Sequence, residues 1–331
     1  MSGLFCATTD PAAAAAGKVL SELPAASWMP RSCALHPVVK MLIRARDLWG
    51  QEMPLNLIQT AFVERYMPAF SDDAEERYVA ERAFCESFND NELMACASKN
   101  VEEVNELLEE KGFALRLVKQ AEGTCYFAST LNISFQWEKK GAQVPMEVAG
   151  ITYDAVQKSV KAGNVFFMGE HEHPIFEIRT RGRDVVYMTK ATSLDLTNFG
   201  LLEISRSLTP MHYWERRNCS NDYILTFPMV DSTEISSIEW LRWMSYRGGE
   251  EVTEALQETT FKMDEKGASV RSAAAMYTAA GCAYGEPKPP IYYEMNEPFW
   301  LWVTRPGLAV PYFALYCTPD IWTNPNSSGR K

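Results

Sequence analysis

Apolar residues recur at helical spacing in two stretches of the N-terminal half of the chain. One stretch runs from Val38 to Leu48, and the other contains Val101, Val104, Leu107 and Leu108. A basic residue and a glycine follow the second stretch at Lys111-Gly112, which is typical of the end of a helix. Both stretches therefore predict helices packed against a core.

Thr209-Pro210 places a hydroxyl side chain directly before a proline. A capping hydroxyl followed by a proline in the first turn is typical of the start of a helix, so we predict a third helix from Met211 to Arg216.

Strands are predicted where β-branched and aromatic residues are concentrated. These segments are Leu55 to Glu64, Cys125 to Trp137, Asp184 to Thr189, Tyr223 to Val230, Ile291 to Met295, Phe299 to Val303 and Val310 to Tyr316. Helices lead and strands dominate towards the C-terminus, without a βαβ rhythm or a repeat period. The pattern predicts an α+β fold with large, mostly antiparallel sheets, in a single domain that spans residues 1–331 because no Pro/Gly/Ser-rich linker divides it.

Composition narrows the possible partners. The 331 residues are 47% hydrophobic and carry a net charge of −11 without a cluster of basic residues, so we expect no nucleic-acid or membrane partner. No apolar run approaches the length of a spanning helix. The eight cysteines are scattered without paired spacing, and the N-terminus has no signal-peptide pattern, so we expect reduced thiols in a cytoplasmic protein.

Motifs for catalysis and for cofactors are missing. The sequence has no G-x-S-x-G elbow, no Walker loop and no G-x-G-x-x-G after a strand, so neither an enzyme nor a cofactor is predicted. The motif His171-Glu172-His173 could begin a metal site if it lay on a strand. With four histidines and no second ligand pair, a solvated loop is the favoured interpretation, and no metal is predicted.

The segment from Glu265 to Met276 combines a charged turn, a glycine and a run of small side chains. By itself this composition is typical of a surface loop. Within it, small or apolar residues recur at every second position: Ala268, Val270, Ser272, Ala274 and Met276 share one face, while Ser269 and Arg271 face the other. Such a segment could be exposed in one state and a half-buried strand in another.

These residues resemble the hinge of the reactive loop of serpins, and other fragments resemble the same family in the same order. Trp28-Met29-Pro30-Arg31-Ser32 is similar to the family's shutter segment, and Phe135-Gln136-Trp137 resembles the strand that carries the breach tryptophan. Val144-Pro145-Met146 resembles a family strand, and Asn296-Glu297-Pro298-Phe299 resembles the turn after the loop. The resemblance extends from about residue 26 to residue 319 and implies the serpin fold.

The resemblance also implies site residues, with a reactive-centre loop at about residues 265–297. The proximal hinge would be Glu265, Lys266, Gly267, Ala268, Val270, Ser272, Ala273, Ala274 and Ala275, and the breach and shutter would include Trp137, Pro30 and Ser32. The family's spacing places the reactive bond at Gly281-Cys282. Because Gly281 offers a protease no side chain, cleavage after Tyr277 or Tyr284 stays open as an alternative.

The implied function is inhibition of a host serine or cysteine protease by a monomer, through cleavage and insertion of the loop. The absence of a signal peptide, the short N-terminal region and Tyr316-Cys317-Thr318-Pro319 resemble short intracellular poxviral serpins, which implies viral modulation of apoptosis or inflammation in the host cytoplasm. Arg271 and Gly281 depart from the family pattern. They keep open the alternative of a non-inhibitory binding or decoy protein on the same fold.

Overall fold

Three helices and nineteen strands have defined bounds in the part of the chain that the computed structural model describes. The described residues are 31–49, 82–119, 126–132, 135–191, 198–210, 212–237, 245–246, 250–251, 256–268, 288–308 and 310–325. The helices are α1 (Leu35–Trp49), α2 (Val101–Glu110) and α3 (Asn198–Leu208). The strands are β1 (Ser32–Cys33), β2 (Leu93–Ser98), β3 (Tyr126–Leu131), β4 (Phe135–Gln136), β5 (Ala142–Val148), β6 (Ile151–Val160), β7 (Val165–Met168), β8 (Ile175–Arg179), β9 (Val185–Lys190), β10 (Arg216–Asn218), β11 (Tyr223–Pro228), β12 (Val230–Ser237), β13 (Ser245–Tyr246), β14 (Glu250–Glu251), β15 (Leu256–Met263), β16 (Gly267–Ala268), β17 (Ile291–Glu294), β18 (Phe299–Thr304) and β19 (Phe313–Cys317).

The strands form three larger sheets and two strand pairs. Sheet I has seven antiparallel strands in the order β1-β19-β18-β9-β8-β7-β10. Sheet II has the order β17-β11-β6-β5, and β17 is parallel to β11 while the other pairs are antiparallel. Sheet III has the order β12-β15-β16-β4, and β2 pairs with β3 and β13 with β14. The predicted α+β class with large, mostly antiparallel sheets is confirmed.

The two predicted packed helices are confirmed, and their ends follow the local sequence. Helix α1 buries Val38, Val39 and Ile43, with Pro37 in its first turn, where a missing N–H costs no helical hydrogen bond. Helix α2 begins after Asn100, whose side chain accepts a hydrogen bond from the Glu102 N–H. It ends before Gly112, whose φ of +80° is readily available only to glycine.

The predicted helix from Met211 to Arg216 is wrong. Residues Tyr213–Glu215 form a single 3₁₀ turn, and β10 begins at Arg216. The Thr209 hydroxyl donates to the Ser205 carbonyl at 2.6 Å and accepts a hydrogen bond from Trp302 Nε1 at 2.8 Å. Because Thr209 closes helix α3 in this way, it is not available to cap a helix that follows.

Most predicted strands are observed, with shifts of a few residues at their ends. Cys125 to Trp137 divides into β3 and β4, and the predicted strands at residues 184–189, 223–230, 291–295, 299–303 and 310–316 correspond to β9, β11, β17, β18 and β19. The predicted strand from Leu55 to Glu64 lies outside the described residues. Strands β1, β2, β6, β7, β8, β10, β12, β13, β14 and β15 and helix α3 were not predicted.

One hydrophobic cluster runs from Cys33 in β1 to Trp322 near the end of the described chain. Its largest buried side chains are aromatic, and Trp300 and Trp302 of β18, an interior strand of sheet I, are both less than 2% exposed. Sheet III packs on sheet I, since Phe261 of β15 stacks on Phe313 of β19 with ring centroids 5.0 Å apart. No helix in the described ranges is long and apolar enough to cross a membrane.

Candidate functional site

The chain reverses direction between β15 and β16 in a tight turn, which we call the hinge turn (Asp264–Lys266). The Asp264 carboxylate accepts hydrogen bonds from the backbone N–H groups of Lys266, at 2.7 Å, and Gly267, at 3.0 Å. The Asp264 N–H donates to the Gly267 carbonyl at 2.7 Å. An aspartate that bonds to the backbone two and three residues ahead favours such a turn. The turn brings Gly267 and Ala268 back alongside Met263.

Strand β16 lies between β15 and β4. Ala268 pairs with Met263 on one side and with Phe135 on the other, and Gly267 pairs with Gln136. Both residues are buried, and Ala268 is 4% exposed. Four predicted hinge residues, Glu265 to Ala268, are therefore in or beside sheet III, and the first two residues of a strand between β15 and β4 are already in place.

Trp137 holds the hinge turn from the side of β4. Its indole N–H donates to the Asp264 carbonyl at 2.9 Å, and its backbone N–H donates to the Lys266 carbonyl at 2.9 Å. The Gly141 N–H donates to the Glu265 carbonyl, also at 2.9 Å. Trp137 itself is 1% exposed and packs against Phe135 and Phe227. All three carbonyls of the turn thus have donors, which fixes the direction in which β16 leaves it.

Gly267 is in a place where no side chain fits. A Cβ atom at this position would lie 2.1 Å from the Phe135 carbonyl oxygen and 2.8 Å from Gln136 Cα. Both neighbours are backbone atoms of β4, so they cannot rotate away. The close approach of β16 to β4 therefore requires glycine at this position.

Beyond β16, a cleft separates β3 from β15. In the part of the chain that the structure describes, β15 pairs with β12 along its length but with β16 only at Met263, and β3 pairs only with β2. A cavity of about 60 Å³ lies between the two strands, large enough for several water molecules. Its lining residues are Ala34, Pro37, Ser129, Leu131, Phe135, Gln257, Glu258, Thr259, Thr260, Phe261, Ala268, Val303, Tyr312 and Phe313. The cleft is bounded by two strand edges, and Ala268 lies in its wall.

One face of the cleft is covered by α2 and by the segment of residues 113–119 that follows it. The Glu258 carboxylate of β15 accepts hydrogen bonds from the backbone N–H groups of Ala114, at 3.2 Å, and Leu115, at 2.6 Å. Asn105 of α2 makes two hydrogen bonds to the backbone of Leu117, at 2.8 and 2.9 Å. These contacts tie the covering segment to β15 and to α2.

A half-buried carboxylate, that of Glu234, fixes the chain at the start of β1. Glu234 of β12 accepts hydrogen bonds from the Arg31 N–H at 2.9 Å, the Ser32 N–H at 3.0 Å and the Ser32 hydroxyl at 2.7 Å. The predicted shutter residue Ser32 is 2% exposed, so its hydroxyl needs this partner. Glu234 connects sheet III to β1 of sheet I.

Lys158 of β6 lies beside the hinge turn on the side of Trp137. Its ammonium is 5.5 Å from the centre of the Trp137 ring and donates to the Lys139 carbonyl. Burial lowers the pKa of Lys158 to about 8. Sequence reasoning missed this residue, although Lys158 occupies the buried period-two position between Val156 and Val160, which is an unusual place for a lysine. Glu234 and Glu258 carry no comparable signal in the sequence.

Other predicted site residues lie outside the described residues. These are Pro30, Val270, Ser272, Ala273, Ala274, Ala275, Tyr277, Gly281, Cys282 and Tyr284.

His171 and His173 lie in the loop between β7 and β8, as the favoured interpretation has it, but both are only partly exposed. His171 Nε2 is 2.7 Å from Thr189 Oγ1, and His173 Nδ1 is 3.4 Å from the Tyr293 hydroxyl. Burial and the neighbouring His173 lower the pKa of His171. Within the described ranges, no three His, Cys, Asp or Glu side chains are grouped so as to hold a metal ion.

The arrangement of sheets I, II and III defines an α+β fold that is also found in solved structures of other proteins. Serpin48 from the insect Tenebrio molitor matches with a TM-score of 0.55 and 12% identity, covering 90% of this chain and 93% of that chain. A serpin from the trematode Schistosoma haematobium matches with a TM-score of 0.56 and 11% identity, covering 86% and 92%. Thyroxine-binding globulin, solved in complex with thyroxine, matches with a TM-score of 0.51 and 10% identity, covering 91% and 94%.

The chain has the serpin fold. No model of a protein family matches the sequence, and no curated protein matches it. At these identities the structural likeness concerns the fold, so the expected activity has to be argued from the hinge and the cleft.

Proposed function

We propose that the chain is a protease inhibitor that acts by inserting the segment after Ala268 into the cleft between β3 and β15. The observation that carries the proposal is the position of β16, which pairs with both β15 and β4 and leads towards the cleft. A strand continued from Ala268 would lie between β3 and β15 and could pair with the edges of both strands that border the cleft. Val270, Ser272 and Ala274 fall on the face that would point inward, and Arg271 falls on the other face, so the inward side chains would be small.

The proposed mechanism begins with attack by the protease on a bond between Ala268 and Lys288. The protease forms an acyl bond to the new C-terminal residue, and the amino group of the following residue leaves. The freed segment then inserts as a central strand and carries the attached protease with it. Insertion adds ladder hydrogen bonds that the uncleaved protein lacks, so the intact protein is kinetically trapped. We propose the reactive bond at Gly281-Cys282, with Tyr277 and Tyr284 as alternatives.

The partner and location in this proposal rest on the resemblance to short intracellular poxviral serpins. A host serine or cysteine protease would be the target, in the host cytoplasm, with apoptosis or inflammation as the process affected. The whole chain of residues 1–331 would act as one domain and as a monomer.

Heat resistance after cleavage tests the insertion step without knowledge of the target. Limited proteolysis between Ala268 and Lys288 should raise the melting temperature, measured by circular dichroism. About ten new hydrogen bonds at about 1 kcal/mol each would raise it by roughly 15 °C in a chain of 331 residues. An unchanged melting temperature after verified cleavage would rule out insertion.

A matched pair of variants tests whether formation of the covalent complex depends on the cleft. Ala268→Gln introduces a polar side chain at a residue that is 4% exposed, and Lys266→Gln introduces the same side chain at the exposed hinge turn. We expect the first variant to be cleaved without forming a detergent-stable covalent complex with chymotrypsin, papain or a caspase, and the second to retain complex formation. Equal complex formation by both variants would contradict the role of Ala268.

The second candidate is a non-inhibitory binding protein, which Arg271 and Gly281 favour because both depart from the inhibitory pattern. Thyroxine-binding globulin, which matches in fold, was solved in complex with thyroxine. A cleaved chain that gains no heat resistance and forms no covalent complex would support this candidate instead.

A further inference from the structure

A buried cation lies next to the residues that hold the hinge turn. Lys158 of β6 is 8% exposed and lies between Val156 and Val160, which are buried on the same face of the strand. Lysine is rarely buried unless it is paired with an acid. Among the described residues, Lys158 makes no ion pair with a carboxylate, and Glu138 acts on it only through its charge. The position of this cation therefore calls for a physical explanation.

The Lys158 side chain contacts both residues whose N–H groups bind the carbonyls of the hinge turn. Its ammonium is 5.5 Å from the centre of the Trp137 ring, within the range of a cation–π interaction. Its stem lies against Gly141, since a Cβ atom at Gly141 would be 3.2 Å from Lys158 Cγ. The ammonium also donates to the carbonyl of Lys139, in the connection between Trp137 and Gly141. One side chain thus holds the segment that binds the turn.

The charge of this side chain destabilises the folded protein. Burial lowers the pKa of Lys158 to about 8, with the charge of Glu138 opposing this shift and that of Lys139 adding to it. Because the unfolded chain holds the proton more tightly, the cost of the charge is fully present below pH 8 and is relieved as the pH rises above that value. A neutral side chain of similar length would avoid this cost, so the presence of a lysine favours a role for the charge itself.

The other charges beside the hinge turn are paired with one another. The Glu265 carboxylate is 3.5 Å from the ammonium of Lys140 and 3.9 Å from that of Lys266. The residue that pairs with Lys158 on β11 is the apolar Leu225. Loss of the Lys158 charge therefore acts directly on the Trp137 ring and on the segment that follows it.

We propose that the Lys158 ammonium is a positioning group for the hinge turn and that it determines how often a cleaved chain traps the protease. The second part rests on the proposed inhibitory function. After the acyl bond has formed, insertion of the strand competes with attack by water on that bond, which releases the protease and leaves a carboxylate at the cleaved end. A turn held in place through Trp137 and Gly141 allows insertion to start sooner, so a larger share of the protease stays bound.

Amide hydrogen exchange tests the positioning part without a protease. Lys158→Met removes the charge and keeps the length of the side chain. The control, Lys161→Met, removes an exposed lysine that lies just after β6 and is 2.7 Å from Asp222. At pH 7, peptides that contain residues 137–141 and 264–268 should exchange about threefold to tenfold faster in Lys158→Met, because one cation–π contact and one charge-assisted hydrogen bond are lost. The control should exchange like the wild type, and the melting temperature of Lys158→Met should not fall.

The number of inhibitor molecules consumed per molecule of chymotrypsin tests the trapping part. At pH 7 this number should be about threefold higher for Lys158→Met than for the wild type. At pH 9 about nine tenths of the Lys158 side chains are neutral, so the wild-type number should rise towards that of Lys158→Met. Lys158→Arg keeps its charge at both pH values and should show no such rise.

Other outcomes overturn the inference. Exchange at the wild-type rate in Lys158→Met overturns the positioning part, as does faster exchange throughout sheet II with a lower melting temperature, because Lys158 would then only stabilise the core. A wild-type number that is equal at pH 7 and pH 9 overturns the trapping part. Should Lys158→Met fail to fold, faster exchange in the wild type than in Lys158→Arg at pH 9 is the equivalent test.

Failure of the proposed function can be told apart from failure of this inference. If the wild type forms no covalent complex with chymotrypsin, papain or a caspase and gains no heat resistance on cleavage, the inhibitory function fails and the trapping part fails with it. The exchange rates of Lys158→Met and Lys161→Met then decide the positioning part alone.

Discussion

Replacement of Gly267 by alanine should separate β16 from β4. The added Cβ would lie 2.1 Å from the Phe135 carbonyl oxygen, where non-bonded atoms do not normally come closer than 3 Å, so one of the two strands must move. The contacts at risk are the pairing of Gly267 and Ala268 with β4 and the hydrogen bond from the Trp137 N–H to Lys266. With about three hydrogen bonds lost at about 1 kcal/mol each, we expect the free energy of unfolding to fall by about 2–4 kcal/mol.

Urea denaturation followed by tryptophan fluorescence measures this loss. The control is Gly163→Ala, because a Cβ at Gly163 has no atom within 4 Å and the residue lies in a 3₁₀ turn far from the hinge along the chain. We expect the control to unfold within about 1 kcal/mol of the wild type. Because the displaced β16 no longer leads into the cleft, Gly267→Ala should also be cleaved more often without forming a covalent complex. Equal midpoints for the two variants would refute the close-approach argument.

Three further predictions concern buried or half-buried polar groups around the core. His36 is 0% exposed and its ring nitrogens have no hydrogen-bond partner in the described structure; burial, and then the Arg305 charge, lower its pKa from 6.5 to about 3. Below pH 6.5 the unfolded chain therefore takes up a proton that the folded protein does not. Between pH 7 and pH 5 the free energy of unfolding should fall by about 2 kcal/mol for this reason. A His36→Phe variant, measured by urea denaturation at both pH values, should lack this loss. Arg305→Met should cost about 3–5 kcal/mol in thermal unfolding, because the Asp184 carboxylate, 2.8 Å from Arg305, would be left buried without its cation, and Asp184→Asn in the same background should recover part of that cost. Glu234→Ala should cost about 2–4 kcal/mol by removing three hydrogen bonds to the chain around Ser32, whereas Ser32→Ala, which removes one, should cost about 1 kcal/mol.

The sequence predicted best the strands whose side chains are buried on both faces. Strand β18 is apolar at nearly every position because both faces are buried between other layers, and its pattern gave a correct prediction. Strand β15, with the sequence LQETTFKM, escaped prediction because it borders a cleft and a covering segment rather than a closed core. Its polar residues are explained only by contacts distant in sequence, such as the bonds from Glu258 to Ala114 and Leu115.

In the candidate site too, features set by neighbouring residues were predicted, and contacts between residues distant in the chain were not. Glu265 to Ala268 and Trp137 were predicted as hinge and breach residues from the order of short sequence motifs, and the turn and the glycine found there depend on local geometry. The hydrogen bond from the Trp137 indole to Asp264 joins residues far apart in the chain, and no local pattern encodes it. The wrong helix after Thr209 has a similar cause, since Trp302, on a distant strand, helps to hold that hydroxyl.

The narrow space at Gly267 also determines the register of any strand that continues from Ala268. In a β-sheet, a shift by one residue turns every inward side chain outward, which would place Arg271 in the core and Ala274 in solvent. Since a Cβ atom at the place of Gly267 would collide with the Phe135 carbonyl oxygen, neither Lys266 nor Ala268 can take the place of Gly267. The pairing of Gly267 and Ala268 with β4 thus fixes the strand register before the rest of the segment pairs.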